Sequence, residues 1–169
     1  ERGKRAGTEN VPGIMGLAAA LKEAGDHIDE NTAKVSAWRD QLIAGLSQIP
    51  HGALNGDPVH RLPGNVNFCF EGIEGESLLL LLDQAGICAS SGSACTSGSL
   101  DPSHALLAIG RPHEVAPGSR RMSLCEWNTP EDVDPILQEV PRIVAYVRNI
   151  IHVSAARDTG SKTYKQLAC

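Results

Sequence analysis

The residue best suited to chemistry in this chain is a thiol. Cys95 stands in Ser90-Ser91-Gly92-Ser93-Ala94-Cys95-Thr96-Ser97-Gly98-Ser99, a run with almost nothing to bury. A structural cysteine normally has apolar neighbours, whereas a nucleophilic thiolate needs solvent access and a polar setting. A loop of this composition would let a thiol reach a buried substrate and then swing out to a partner. Read from composition alone, an unreactive exposed cysteine stands beside that reading, although exposed thiols are liabilities that need a reason. The second group is Arg120-Arg121. A guanidinium fork gives two parallel charge-assisted hydrogen bonds to a carboxylate. Neighbouring residues on a strand face opposite sides, so only one of the pair can point into a given site. Taken by itself, such a pair reads as one solvated and one salt-bridged arginine.

The remaining cysteines are Cys69, Cys88, Cys125 and Cys169, which makes five, an odd number with no close CxxC pair. That argues against a disulfide scaffold and against a structural zinc site, and no metal is expected. Reduced thiols in a cytoplasmic protein are the expectation, most of them buried as small hydrophobes. His51, His60, His113 and His152 have no partners at telling spacings, and His104 reads as a packing or hydrogen-bonding residue.

These groups need elements to hold them. Residues 1–10 read as a loop, and Asn10 then offers an N-cap with Pro12 in the first turn. Apolar residues recur at Ile14, Leu17, Leu21 and Ile28, then at Val35, Trp38, Leu42, Leu46 and Ile49, which predicts a long amphipathic helix with a bend or a close packing point at Gly25. Pro50 and Gly52 end it. His51–Gly64 carries turn signals and reads as irregular or edge-like. Val66, Phe68 and Phe70 alternate with Asn67 and Cys69, which predicts a half-buried strand. Gly75-Glu76-Ser77 opens a leucine-rich helix to about Gln84, Ile87–Ala89 reads as a short buried strand, and Ser90–Ser99 reads as a mobile loop. Asp101-Pro102 predicts a helix to about Ile109, and Ser119–Leu124 a strand. Thr129-Pro130-Glu131-Asp132 opens a helix with Val133, Ile136, Leu137, Val140, Val144 and Val147 on one face. Pro135 and Pro141 fall inside it and predict a kink or a late start. From about Ser154 the chain is polar and aperiodic, a tail expected to be poorly ordered. The pattern is α/β, with helices against a small sheet.

With 169 residues, 41% hydrophobic and 21% charged, the composition is that of an ordinary folded domain. The longest apolar run, Leu78–Leu82, is far short of the roughly 20 residues of a membrane helix. The net charge of −5, with scattered basic residues, argues against nucleic acid as the main partner. A chain that starts at Glu1 is expected to be part of a longer one.

Four segments together closely resemble cysteine desulfurases, pyridoxal-phosphate enzymes of the class V aminotransferase family, of the iron–sulfur-cluster and nitrogen-fixation type. They are RAGTEN (Arg5–Asn10), RLPGNVNFCF (Arg61–Phe70), EGESLLLLLD (Glu74–Asp83) and SSGSACTSGSLDPSH (Ser90–His104). They fall in the family's order, and the resemblance runs from residue 1 to about Arg148. It implies the C-terminal small domain of a fold-type I pyridoxal-phosphate transferase. Residues 1–13 would then be the end of the large cofactor domain, 14–153 the small domain with its connecting helix, and 154–169 a flexible tail.

By the same resemblance, L-cysteine is the substrate and Cys95 matches the nucleophile that takes its sulfur as a persulfide, leaving alanine. Arg121 matches the arginine that grips the substrate carboxylate. Thr8 matches the threonine whose hydroxyl reaches the cofactor phosphate of the other subunit, which implies a homodimer; by itself, Gly-Thr reads as a plain turn. The sulfur would pass to an acceptor or cluster scaffold protein. The family's Schiff-base lysine lies in an upstream Ser-x-His-Lys segment, and none of Lys4, Lys22, Lys34, Lys162 or Lys165 sits in one. The chain is therefore expected to be inactive alone. It also departs from its relatives at Cys69, Pro117, Cys125 and Pro135; Cys125 offers a second thiol close in sequence to Arg121, and Cys169 reads as incidental. The competing readings are selenocysteine lyase activity, a non-catalytic persulfide carrier, and a plain aminotransferase small domain, which would need Arg121 but not Cys95.

Overall fold

The computed structural model of the chain describes residues 3, 7–73, 75–91 and 102–166, from residue 151 onwards as backbone. Two helices come first, α1 (Val11–Asp26) and α2 (Ile28–Leu46). The Asn10 side chain caps α1 by accepting from the Gly13 N–H at 3.1 Å, with a proline in the first turn. The single long helix expected from periodicity is broken at His27, two residues after Gly25. No residue of α1 is buried, and Ile14, Leu17 and Leu21 on the apolar side of the amphipathic pattern are 55%, 62% and 65% exposed. Periodicity reports the existence of an apolar face but not whether anything covers it.

The sheet has four antiparallel strands in the order β1 (Gly52–Leu54), β2 (Asn65–Phe70), β4 (Ser119–Ser123), β3 (Ser90–Ser91). Strands β2 and β4 follow the alternation expected of them. Strand β1 forms inside His51–Gly64, the segment that reads as irregular or edge-like, and it is an edge strand, whereas the short strand expected at Ile87–Ala89 lies instead at Ser90–Ser91. Ile87 is still buried, so its side chain is used for packing while the ladder hydrogen bonds form only where β4 is alongside. The expected mobile loop therefore loses its first two residues to the sheet; Gly92–Ser99 lie outside the described residues.

One face of the sheet carries the core. Val66, Phe68, Phe70 and Met122 pack there against Leu42 and Leu46 of α2, Leu78 and Leu82 of α3 (Gly75–Gln84), and Val133, Val140, Ile143, Val144 and Val147 of α5 (Pro130–Gln166). A fully buried leucine or valine contributes about 2 kcal/mol, so this layer is the main source of stability. Helix α5 starts where expected, with the Thr129 N–H bonded to Asp132 Oδ2 at 2.9 Å. It does not start late, and both Pro135 and Pro141 lie inside it. An internal proline costs about 3 kcal/mol, and the run of buried valines and Ile143 offsets it. In the polar segment from Ser154 the backbone is helical as far as Gln166. Ala155, Ala156, Arg157, Lys162 and Lys165 are good helix formers that extend an already nucleated helix. The helix expected from Asp101 is the short α4 (His104–Ala108), whose N-cap Ser103 makes no side-chain cap bond.

Gly118 ends a 3-10 turn (Ala116–Gly118) packed against β2. A Cβ there would fall inside contact distance of the Phe70 carbonyl oxygen, a backbone atom at the end of β2. Gly118→Ala is therefore expected to lose about 2–4 kcal/mol of stability, read as a lower urea midpoint at unchanged m-value.

Candidate active site on the polar face of the sheet

The pleat that sends Val66, Phe68 and Phe70 into the core sends Asn65, Asn67 and Cys69 to the other side. The β2–β4 register places Ser119 opposite Cys69, Arg121 opposite Asn67 and Ser123 opposite Asn65. Ser90 of β3 is opposite Arg121 on its other flank. Asn67, Arg121 and Ser90 therefore form a polar row across three strands, and Arg121 in its middle is exposed.

Arg120 has the opposite fate. It lies opposite Phe68, on the core side, and is 1% exposed. Its guanidinium donates to the backbone carbonyls of Pro117 at 3.2 Å and of Ser119. Burial pushes its pKa down to about 10, so it keeps its charge at neutral pH. The expectation that one arginine of the pair faces the site and the other does not holds, and Arg121 is the outward one. Among the described residues, the buried partner's guanidinium is held by backbone carbonyls.

Beneath Arg121 lies a buried polar cluster that sequence reasoning missed. Asn55 Nδ2 donates to Asn67 Oδ1 at 2.8 Å, to Cys69 Sγ at 3.2 Å and to Ser119 Oγ at 3.3 Å. Asn55 Oδ1 accepts from Arg111 Nε at 2.6 Å, and Arg111 Nη2 donates to the Leu54 carbonyl. Cys69 Sγ and Ser119 Oγ are 2.6 Å apart. Asn55, Cys69 and Ser119 are all buried, so Cys69 is a structural thiol even though it lies on the polar half of the β2 alternation. Nearby, Arg61 braces the loop between β1 and β2. Its Nε donates to the Asn65 carbonyl at 3.0 Å and its Nη1 to that of Asp57 at 3.2 Å. Burial lowers the Arg61 pKa, with the charge of Arg39 adding to the effect. Asp57 Oδ1 accepts the Val59 and His60 N–H groups at 2.7 and 2.6 Å, and those bonds hold its carboxyl below the usual range. The face is thus rich in fixed donors, an arrangement suited to an anion.

Cys95 lies outside the described residues, as does Cys169. Thr8 is exposed in the bend before α1 and belongs to that helix's approach, not to the sheet. Cys125 is exposed in the turn after β4, its N–H bonded to Asn128 Oδ1 at 2.9 Å, and Cys88 is exposed ahead of β3. His51, His60, His104 and His113 are exposed.

The class-V aminotransferase model matches residues 2–136. The chain belongs to that family. Among family members, the cysteine desulfurase IscS of Methanosarcina thermophila is 57% identical over 150 residues, covering 89% of this chain and 37% of that protein. The cysteine desulfurase NifS of Azotobacter vinelandii is 50% identical over 151 residues, covering 89% of this chain and 38% of that protein. The chain spans a little over a third of the length of the curated relatives it matches. Among solved structures, a NifS-like protein superposes with a TM-score of 0.72 at 32% identity, over 86% of this chain and 36% of that one. The NifS-like protein from Rickettsia africae gives 0.71 at 30% identity, over 82% and 36%. These likenesses bear out the expected family and α/β class.

The two lysines whose side chains are described are both exposed. Lys22 is on exposed α1, paired with Asp26. Lys34 lies over the Trp38 ring at 4.9 Å and donates to the Glu126 carbonyl at 2.9 Å. Neither can serve as a buried Schiff-base lysine. Among the described residues no helix is long and apolar enough to cross a membrane.

Proposed function

We propose that this chain is the carboxylate-gripping and sulfur-accepting part of a cysteine desulfurase. The observation that carries the reading is the polar row Asn67–Arg121–Ser90, because Ser90 and Ser91 lead directly into the segment of Cys95. From Ser91, Cys95 is four residues along, a reach of at most about 14 Å. The tether keeps the thiol near the arginine whatever path it takes. Arg121 binds the α-carboxylate of L-cysteine and so fixes where the substrate sulfur lies. Cys95 then attacks that sulfur: an S–S bond forms, the substrate Cβ–S bond breaks, and Cβ takes up a proton to leave as alanine. The persulfide passes to an acceptor or cluster scaffold protein.

Pyridoxal phosphate supplies the electron sink for such chemistry when bound. Its lysine and ring contacts belong to the additional length that the relatives have. The division of the chain at residue 13, a homodimer in which Thr8 meets the partner's cofactor phosphate, and a cytoplasmic setting belong to the same proposal. The test is alanine production from L-cysteine with added pyridoxal phosphate, run on this chain and on the protein from its complete gene. Turnover by the second alone is expected; turnover by neither would leave Cys95 a passive persulfide acceptor and remove the enzymatic reading.

A further inference from the structure

The buried cluster below Arg121 orients a donor beside it. We infer that Asn67 is a second carboxylate-binding residue, its amide turned outward by the chain Arg111–Asn55–Asn67; this rests on the desulfurase reading above. An asparagine amide can sit in two flipped states that differ only in which end donates. Here the choice propagates from a group that has none. Arg111 has only donors, so the end of Asn55 that meets its Nε at 2.6 Å must be oxygen. The Leu54 carbonyl holds the same guanidinium from a second direction, which fixes it in place. The Asn55 NH2 must then face the other way, where it meets Asn67 at 2.8 Å. The end of Asn67 it meets must be oxygen. That leaves the Asn67 NH2 turned away from the cluster, and among the described residues no acceptor is bonded to it.

Asn67 is directly opposite Arg121 in the antiparallel register, on the same face. Side chains so paired have Cβ atoms about 5 Å apart, which is within reach of one carboxylate. Arg121 supplies the forked pair of N–H groups and Asn67 a neutral N–H at its flank. A guanidinium alone holds a carboxylate in a plane but lets it slide along the strand. A second donor from the next strand removes that freedom and fixes the direction of the substrate's Cα. The same logic makes Arg111 a positioning residue acting through Asn55.

Asn67→Asp is the discriminating variant. It keeps the oxygen that Asn55 donates to, so the cluster is preserved, and it replaces only the outward NH2 with an acceptor. In the protein from the complete gene, loaded with pyridoxal phosphate, the KM for L-cysteine is expected to rise about tenfold or more, with kcat within about threefold. Equilibrium binding supplies a readout independent of turnover: titrate the bound cofactor's absorbance with L-alanine and with ethylamine, which lacks the carboxylate. Asn67→Asp is expected to weaken L-alanine and leave ethylamine unchanged. Arg111→Met is expected to reproduce the L-alanine effect in smaller measure and Arg111→Lys to restore part of it. If Asn67→Asp weakens both ligands equally, or neither, the inference falls while the desulfurase reading stands. If the unsubstituted protein releases no alanine from L-cysteine, that reading falls and takes this inference with it.

Discussion

Cys95→Ala, made in the protein from the complete gene, is expected to remove alanine release altogether while the bound cofactor keeps its absorbance. The thiol is the only group in the proposed reaction that forms a bond to the transferred sulfur, so no neighbouring donor can substitute by binding alone. Cys69 is buried in the Asn55 cluster and closed to any substrate. Cys88 and Cys125 are exposed, and each provides a control. Cys88→Ala and Cys125→Ala are expected to keep turnover near that of the unsubstituted protein. Mass spectrometry after alkylation should find the added sulfur on the peptide containing Cys95. Retained turnover in Cys95→Ala, with the label on Cys125, would move the role to the turn that follows β4.

The second large effect is a contrast between two neighbours. Arg121→Ala is expected to lower kcat/KM for L-cysteine by a hundredfold to a thousandfold, since two charge-assisted hydrogen bonds at about 2 kcal/mol each are lost. Its stability should change by less than about 0.5 kcal/mol, because the side chain is exposed. Arg121→Lys keeps the charge without the fork and should fall in between. Arg120→Ala is expected to do the reverse. It empties a core position opposite Phe68 and abandons the Pro117 and Ser119 carbonyls, at a cost of about 3 kcal/mol. KM should hold in whatever fraction remains folded. Urea melts and steady-state kinetics on the same preparations separate the two. Equal losses in both variants and both assays would mean that the two faces of β4 are not distinct.

What the sequence reveals depends on how local the cause is. The Asn10 cap and the Thr129–Asp132 start of α5 are legible because each is made by residues within one turn. Strands β2 and β4 are legible because alternation is a property of the strand alone. Strand β3 is not, and β1 is legible only as part of an edge-like segment: they have two and three residues and exist only because a longer strand lies alongside. The bare face of α1 and the helical continuation past Ser154 escape for a related reason. Periodicity does not report what stands opposite a face, and polarity does not prevent a helix from propagating. At the site, pleating says only that Arg120 and Arg121 face opposite sides; the choice of Arg121 as the outward one comes from the resemblance. The Asn55 cluster was not legible, because it joins residues 55, 67, 69, 111 and 119, which meet only once the strands have paired. Its one visible trace was the polar half of the β2 alternation, Asn67 and Cys69.

Strand β4 carries two arginines in succession, one serving the interior and one the surface, with nothing but the pleat to tell them apart. Their roles are therefore set by counting. Deleting one residue between Gly118 and Arg120, or inserting one, would advance the register by a single step and turn each side chain to the opposite face. The formerly outward guanidinium would then have to enter the core, and the interior one would replace it in a different place along the strand. Substitutions at the flanking positions are graded in their effects, but a change of length here is not. Variation in length between relatives should accordingly be confined to the turns on either side of β4 and be absent from the strand itself.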